Sequence, residues 1–87
     1  MYEEKINDII QNINNEIVFD KSEISRIRKE MNKLKRCIKE STELKLYNKE
    51  FEEELLLKKD KIDSIKEKIS NKKKAIYRLN IVIQLLK

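Results

Sequence analysis

Apolar residues recur along this chain in alternating steps of three and four, the spacing that gathers them on one stripe of an α-helix. With Ile10, Ile17, Ile24, Met31 and Ile38 at position a of a heptad, position d falls on Ile6, Ile13, Asp20, Ile27 and Leu34. Asp20 is the single polar interruption of that frame. A second frame runs to the end of the chain, with a at Asn48, Leu55, Ile62, Ile69, Ile76 and Ile83. Its d positions are Leu44, Phe51, Lys58, Ile65, Lys72, Leu79 and Leu86. A sustained a/d repeat of this kind is the signature of helices that wind around one another, each apolar knob entering a hole on the facing helix. The expected class is therefore all-α, a coiled coil of long helices. The apolar members of both frames are the expected oligomerisation seam.

The two frames do not join. After Ile38 the first frame places Ser41 at d, whereas the second needs Leu44 there. Either a continuous coil absorbs three residues by overwinding, or the helix breaks near residues 40–48. Ser41, Thr42 and Asn48 are cap-capable residues in that window. The break predicts helical segments at about 3–40 and 47–86, making one helical unit over residues 1–87. A further break is conceivable at 18–20, where Asp20 and Glu23 have capping-box spacing and Phe19 with Ile24 has that of a hydrophobic staple. The competing reading keeps Asp20 as a polar d residue inside one long helix.

Charge bears on how the helices align. Residues 1–23 sum to −4, residues 24–39 to +6, residues 40–54 to −4 and residues 55–78 to +6. In a parallel homomer each g residue meets the e residue five places on. Glu16 with Lys21, Glu23 with Arg28, Glu30 with Lys35 and Glu54 with Lys59 attract, but Lys61 with Lys66 and Lys68 with Lys73 repel. In an antiparallel pairing, g meets g and e meets e. A register in which paired residue numbers sum to about 87–91 sets Glu23 against Lys68, Glu30 against Lys61 and Lys35 against Glu52. It also brings Lys21 near Lys66 and Arg28 near Lys59. The first half thus reads as parallel and the second resists it. A helical hairpin, itself oligomerised, leads; an extended parallel coiled-coil rod is the alternative, followed by a three-helix bundle.

The C-terminal stretch is apolar beyond the seam, with Ile81 at f, Val82 at g and Leu85 at c; Ile9 at g is its counterpart near the other terminus. A stripe that wide needs more than one neighbouring helix. The longest apolar runs are three residues, far short of the roughly 20 that a membrane span requires. The charged opening Met1-Tyr2-Glu3-Glu4-Lys5 does not resemble a signal peptide, and a lone Cys37 suits a reducing compartment. A soluble, intracellular location follows as an expectation, cytoplasmic or in a host cell's cytoplasm if the source is viral.

Composition then narrows the chemistry. The 87 residues contain no Gly, Pro, Trp or His. Without Gly there is no phosphate-cradling loop, and without His there is no ordinary acid/base partner for a Ser or Thr nucleophile. The acidic group Glu50, Glu52, Glu53 and Glu54 reads as a solvated block beside lysines, with no loop to organise the oxygens a hard cation prefers. No catalytic residue, metal site or cofactor is expected. The protein reads as a non-enzymatic structural or interaction protein that self-associates and scaffolds or adapts a protein partner. With 21 Lys and Arg against 16 Asp and Glu, the net charge of +5 keeps two alternatives open. One is an inhibitor of an acidic protein. The other is a small basic nucleic-acid-binding protein, viral or plasmid-encoded, with Arg26, Lys29, Lys33, Arg36, Lys73 and Lys74 as its phosphate contacts.

Overall fold

A computed structural model describes residues 2–44 and 49–87. Two helices account for almost all of them: α1, Tyr2–Glu43, and α2, Lys49–Leu86. They lie against each other as an antiparallel hairpin, and no strand occurs among the described residues. The molecule measures 67 × 14 × 13 Å. A 42-residue helix rises about 63 Å, so the rod is one helix long and two helices thick.

The hairpin follows from the frame mismatch. α1 ends at Glu43, inside the window where the two heptads fail to join, and α2 begins at Lys49. No Gly closes the last turn of α1. The Leu44 amide instead donates to the Glu40 carbonyl at 3.0 Å. The Thr42 hydroxyl donates to the Ile38 carbonyl at 2.9 Å, a side-chain bond that competes with continued helix. Leu44, a d position of the second frame, belongs to this turn and is 71% exposed. Asn48 lies outside the described residues.

Within α1 the chain stays helical through residues 18–20. Phe19 is 65% exposed, so no staple forms with the buried Ile24. Asp20 is the polar d residue of one long helix.

The core is a single file of isoleucines. Ile17, Ile24 and Ile27 of α1 and Ile62, Ile65 and Ile69 of α2 form one buried cluster, with Ile13, Met31 and Ile76 packed on it. Ile83 is buried apart from that cluster, near the open end. Ile6, Ile10, Leu34, Ile38, Phe51, Leu55 and Leu79 are half-buried, while Leu86 at the last turn is exposed. The heptad seam is thus spent within one chain, α1 against α2. β-branched isoleucine is stiff at χ1 and gives each layer a defined shape.

Ile27, only 1% exposed, is the centre of this file. Ile27→Ala is expected to cost about 2–4 kcal/mol in thermal or urea unfolding followed by circular dichroism. Ile27→Asp, which buries a carboxylate without a partner, is expected to abolish the cooperative transition. An unchanged melt for Ile27→Asp contradicts the seam.

Candidate functional site

Three features stand out on a surface otherwise made of solvated side chains. They are ion pairs that cross the seam along one edge, a groove along the other edge, and an apolar open end.

The first edge is formed by the d, g and c positions. Lys58 and Lys72 occupy d positions where an apolar residue is expected. The Lys72 ammonium donates to Asp20 Oδ2 at 2.5 Å and lies 3.9 Å from a Glu16 carboxylate oxygen. The Lys58 ammonium donates to Glu30 Oε2 at 2.7 Å. Arg26 adds an intrahelical clamp: its guanidinium donates to Glu23 at 3.0 Å and to Glu30 at 2.7 Å. Sequence reasoning pairs Glu30 with Lys61 and Glu23 with Lys68. The structure instead gives Glu30 to Lys58 and holds Glu23 on Arg26. Lys61 acts on Glu23 only through its field.

The interhelical pairs Lys72–Asp20, Lys72–Glu16, Lys58–Glu30 and Lys87–Glu3 have residue numbers that sum to between 88 and 92. That overlaps the antiparallel register deduced from charge. The polar d residues Asp20 and Lys72, which interrupt each frame taken singly, are therefore partners, while the polar d residue Lys58 is matched by Glu30 at g. The detectable signal was that Asp20 and Lys72 are both polar d residues at nearly complementary register positions.

These contacts set the acid behaviour of the edge. The Lys58 hydrogen bond holds the Glu30 carboxyl below its ordinary value of 4.5, with burial opposing it and the charges of Lys58 and Arg26 assisting. The Arg26 hydrogen bond does the same for Glu23, and the Glu23 hydrogen bond raises Arg26 in return.

The opposite edge is formed by the e and b positions. A groove of about 330 Å³ crosses both helices there, floored by Met31 and Ile62. Arg28 and Lys35 line it from α1, and Lys59 and Lys66 from α2, with Asn32 and Asp63 between them. Sequence reasoning places Arg28 near Lys59, and both border this groove. Among the described residues, none of the four cations is in an ion pair.

The third feature is the open end, where the first turns of α1 meet the last turns of α2. Ile9, Ile81, Val82 and Leu85 are exposed there, Leu85 at 80%.

The residues first singled out for phosphate contact do not converge. Arg26 is held by Glu23 and Glu30. Lys29 and Arg36 sit at f on α1, and Lys74 sits at f on α2, so these outer faces point away from each other. Lys33 is exposed at c. Lys73, at e, shares the edge of the groove. Glu52, Glu53 and Glu54 are exposed, as is Tyr77, and Cys37 is a half-buried free thiol. Among the described residues no group of three or more Asp, Glu, Cys or His is arranged to hold a metal ion. Nor is any of their helices long and apolar enough to cross a membrane.

Two outcomes are expected from the ion-paired edge. Asp20→Asn and Lys72→Gln, combined in a double-mutant cycle, are expected to show a coupling of about 1 kcal/mol, above the few tenths of a wholly exposed pair. Glu23 and Glu30 have lowered folded-state values, so their contribution is complete above the ordinary carboxylate value. It is lost as pH falls through the lower folded values. The melting temperature is therefore expected to fall on acidification below about pH 4.5. The double variant Glu23→Gln/Glu30→Gln is expected to flatten part of that fall; an unaltered acid profile contradicts the assignment.

No family model matches the sequence, and no curated protein or solved structure shows significant similarity to it.

Proposed function

We propose that this protein is a non-enzymatic structural or interaction module whose hairpins self-associate at the open end, leaving the outer faces for a protein partner. The observation that carries this reading is the exposed apolar set Ile9, Ile81, Val82 and Leu85. Two helices cover only one strip of each other. An apolar stripe that extends to f, g and c needs a third or fourth helix to close over it.

A second copy supplies those helices. Ile9 and Val82 are both g residues and face each other across the same edge of the register, so the patch draws on both helices at one end. A two-fold axis through it places like against like, and an apolar patch is self-complementary under that operation in a way a charged one is not. Four helices packed around Val82 and Leu85 resemble the layered core of a bundle. Such an arrangement adds a dry core at the open end.

Three sequence features support a structural role over a catalytic one. The chain contains no His, carboxylates such as Asp20 and Glu30 are engaged in ion pairs across the seam, and the buried residues among those described are all isoleucines of the heptad seam. The unpaired Cys37 thiol fits a reducing, intracellular setting.

Sedimentation equilibrium tests this. The wild-type protein is expected to run at twice the 10.6 kDa chain mass or a higher multiple. Val82→Glu/Leu85→Glu is expected to run as one chain with unchanged helix content by circular dichroism, since neither residue belongs to the intrachain core. A wild-type protein that stays at one chain mass over the full accessible concentration range overturns the proposal.

A further inference from the structure

The two edges of the hairpin have the same backbone geometry and different electrostatic character, one ion-paired and one basic. On the d/g edge every cation in the seam has a carboxylate. On the e edge, Lys21, Arg28 and Lys35 of α1 interleave with Lys59, Lys66 and Lys73 of α2, with Glu52 at the turn-proximal end of the same row, and antiparallel pairing brings e against e. The groove shows this convergence directly, since Arg28, Lys35, Lys59 and Lys66 all line it. Asp63 is the one carboxylate among its walls. Among the described residues no ion pair neutralises these four cations.

The geometry points to this e edge as a binding site for the phosphate backbone of nucleic acid, read without regard to base sequence. The cations form a line. Successive e residues on one helix rise about 10.5 Å, and the antiparallel register interleaves the two rows into a single band about 30 Å long. A linear band suits a linear polyanion better than it suits the compact acidic patch of a globular protein. Duplex DNA carries one charge per about 1.7 Å of axis, so phosphates are available opposite every cation in the band.

The groove itself argues for backbone contact. Five of the six cations are lysines, flexible point charges that follow a phosphate row without fixing a base. No aromatic residue lines the groove, so the stacking platform used for unpaired bases is missing from its walls. Its floor is Ile62, which is buried, and Met31, which is half-buried, so there is little apolar surface to insert among lipid chains. Both helices are needed: α1 alone or α2 alone presents three of the six charges. The site is thus a product of the hairpin and differs from the outer-face set, sharing only Lys73 with it.

Fluorescence anisotropy with a labelled random-sequence DNA duplex tests the assignment. Binding is expected at 50 mM salt. With four phosphate contacts, affinity is expected to fall about 150-fold between 50 and 200 mM salt. The decisive comparison uses two variants of equal net charge. One is Arg28→Gln/Lys35→Gln/Lys59→Gln/Lys66→Gln, which neutralises the groove. The other is Lys29→Gln/Lys33→Gln/Arg36→Gln/Lys74→Gln, which neutralises the outer faces. Both alter exposed residues, and circular dichroism establishes that each is folded.

The groove variant is expected to lose binding at 50 mM salt and to lose most of the salt dependence, while the outer-face variant retains both to within a few-fold. Equal losses in the two variants reduce the interaction to net charge and overturn the site, as does absence of wild-type binding at 50 mM. A poly-glutamate of matched length that competes as well as the duplex overturns the assignment to phosphate. A single-stranded oligonucleotide that binds more tightly than the duplex overturns the argument from missing aromatics.

Discussion

An isoleucine seam attracts without directing, because one Ile layer resembles the next and a slip by a heptad leaves most apolar contacts intact. What fixes this hairpin is the pair of lysines placed in that seam. Lys72 is satisfied when Asp20 lies opposite, and Lys58 when Glu30 does. A slip of one heptad can offer Glu23 to one of the two ammoniums but strands the other, Lys72 beside Ile9 and Ile13 or Lys58 beside Cys37, half-buried without a carboxylate, which costs more than the ion pair itself contributes. Polar residues in a coiled-coil seam have this use: they specify register at some expense in stability. The juxtaposition of the two basic rows follows from that register.

The same register explains why the edges diverge. α1 carries glutamates at g and cations at e along its middle; α2 carries lysines at both. Antiparallel pairing puts the lysines of one α2 edge against glutamates and those of the other against more cations. A parallel assembly sets g against e on both sides, attractive at Glu23–Arg28 and Glu30–Lys35 and repulsive at Lys61–Lys66 and Lys68–Lys73, so its two sides are alike. The charge asymmetry is therefore a property of this fold and not of the composition.

Much of the architecture was legible in the chain. The step pattern of three and four identified the core isoleucines individually, because a helix allows only one face to be buried. The frame mismatch located the turn without help from Gly or Pro. The ambiguity between rod and hairpin persisted because pairwise charge scores weigh each contact at a few tenths of a kcal/mol, and the sums came out close. The seam lysines Lys58 and Lys72 are visible in the sequence as polar d positions of α2. Their meaning appears only when a d residue of one helix is matched with an acid of the other. The phosphate candidates Arg26, Lys29, Lys33, Arg36, Lys73 and Lys74 follow density along the sequence, whereas a groove edge depends on which cations the two helices bring together.

A molecule two helices thick has no interior in the usual sense. Each turn is supported by the turn opposite and by its neighbours along the axis, so order propagates in one dimension, as in a zipper. The buried cluster from Ile17 to Ile27 and from Ile62 to Ile69 lies in the middle of that zipper. Amide hydrogen exchange in such an object is graded: protection peaks beside Ile27 and Ile65 and declines toward both ends. Opening is cheapest at the termini, where closure also spans the longest loop of chain. Whatever holds the two free ends together therefore governs how often the entire length comes apart.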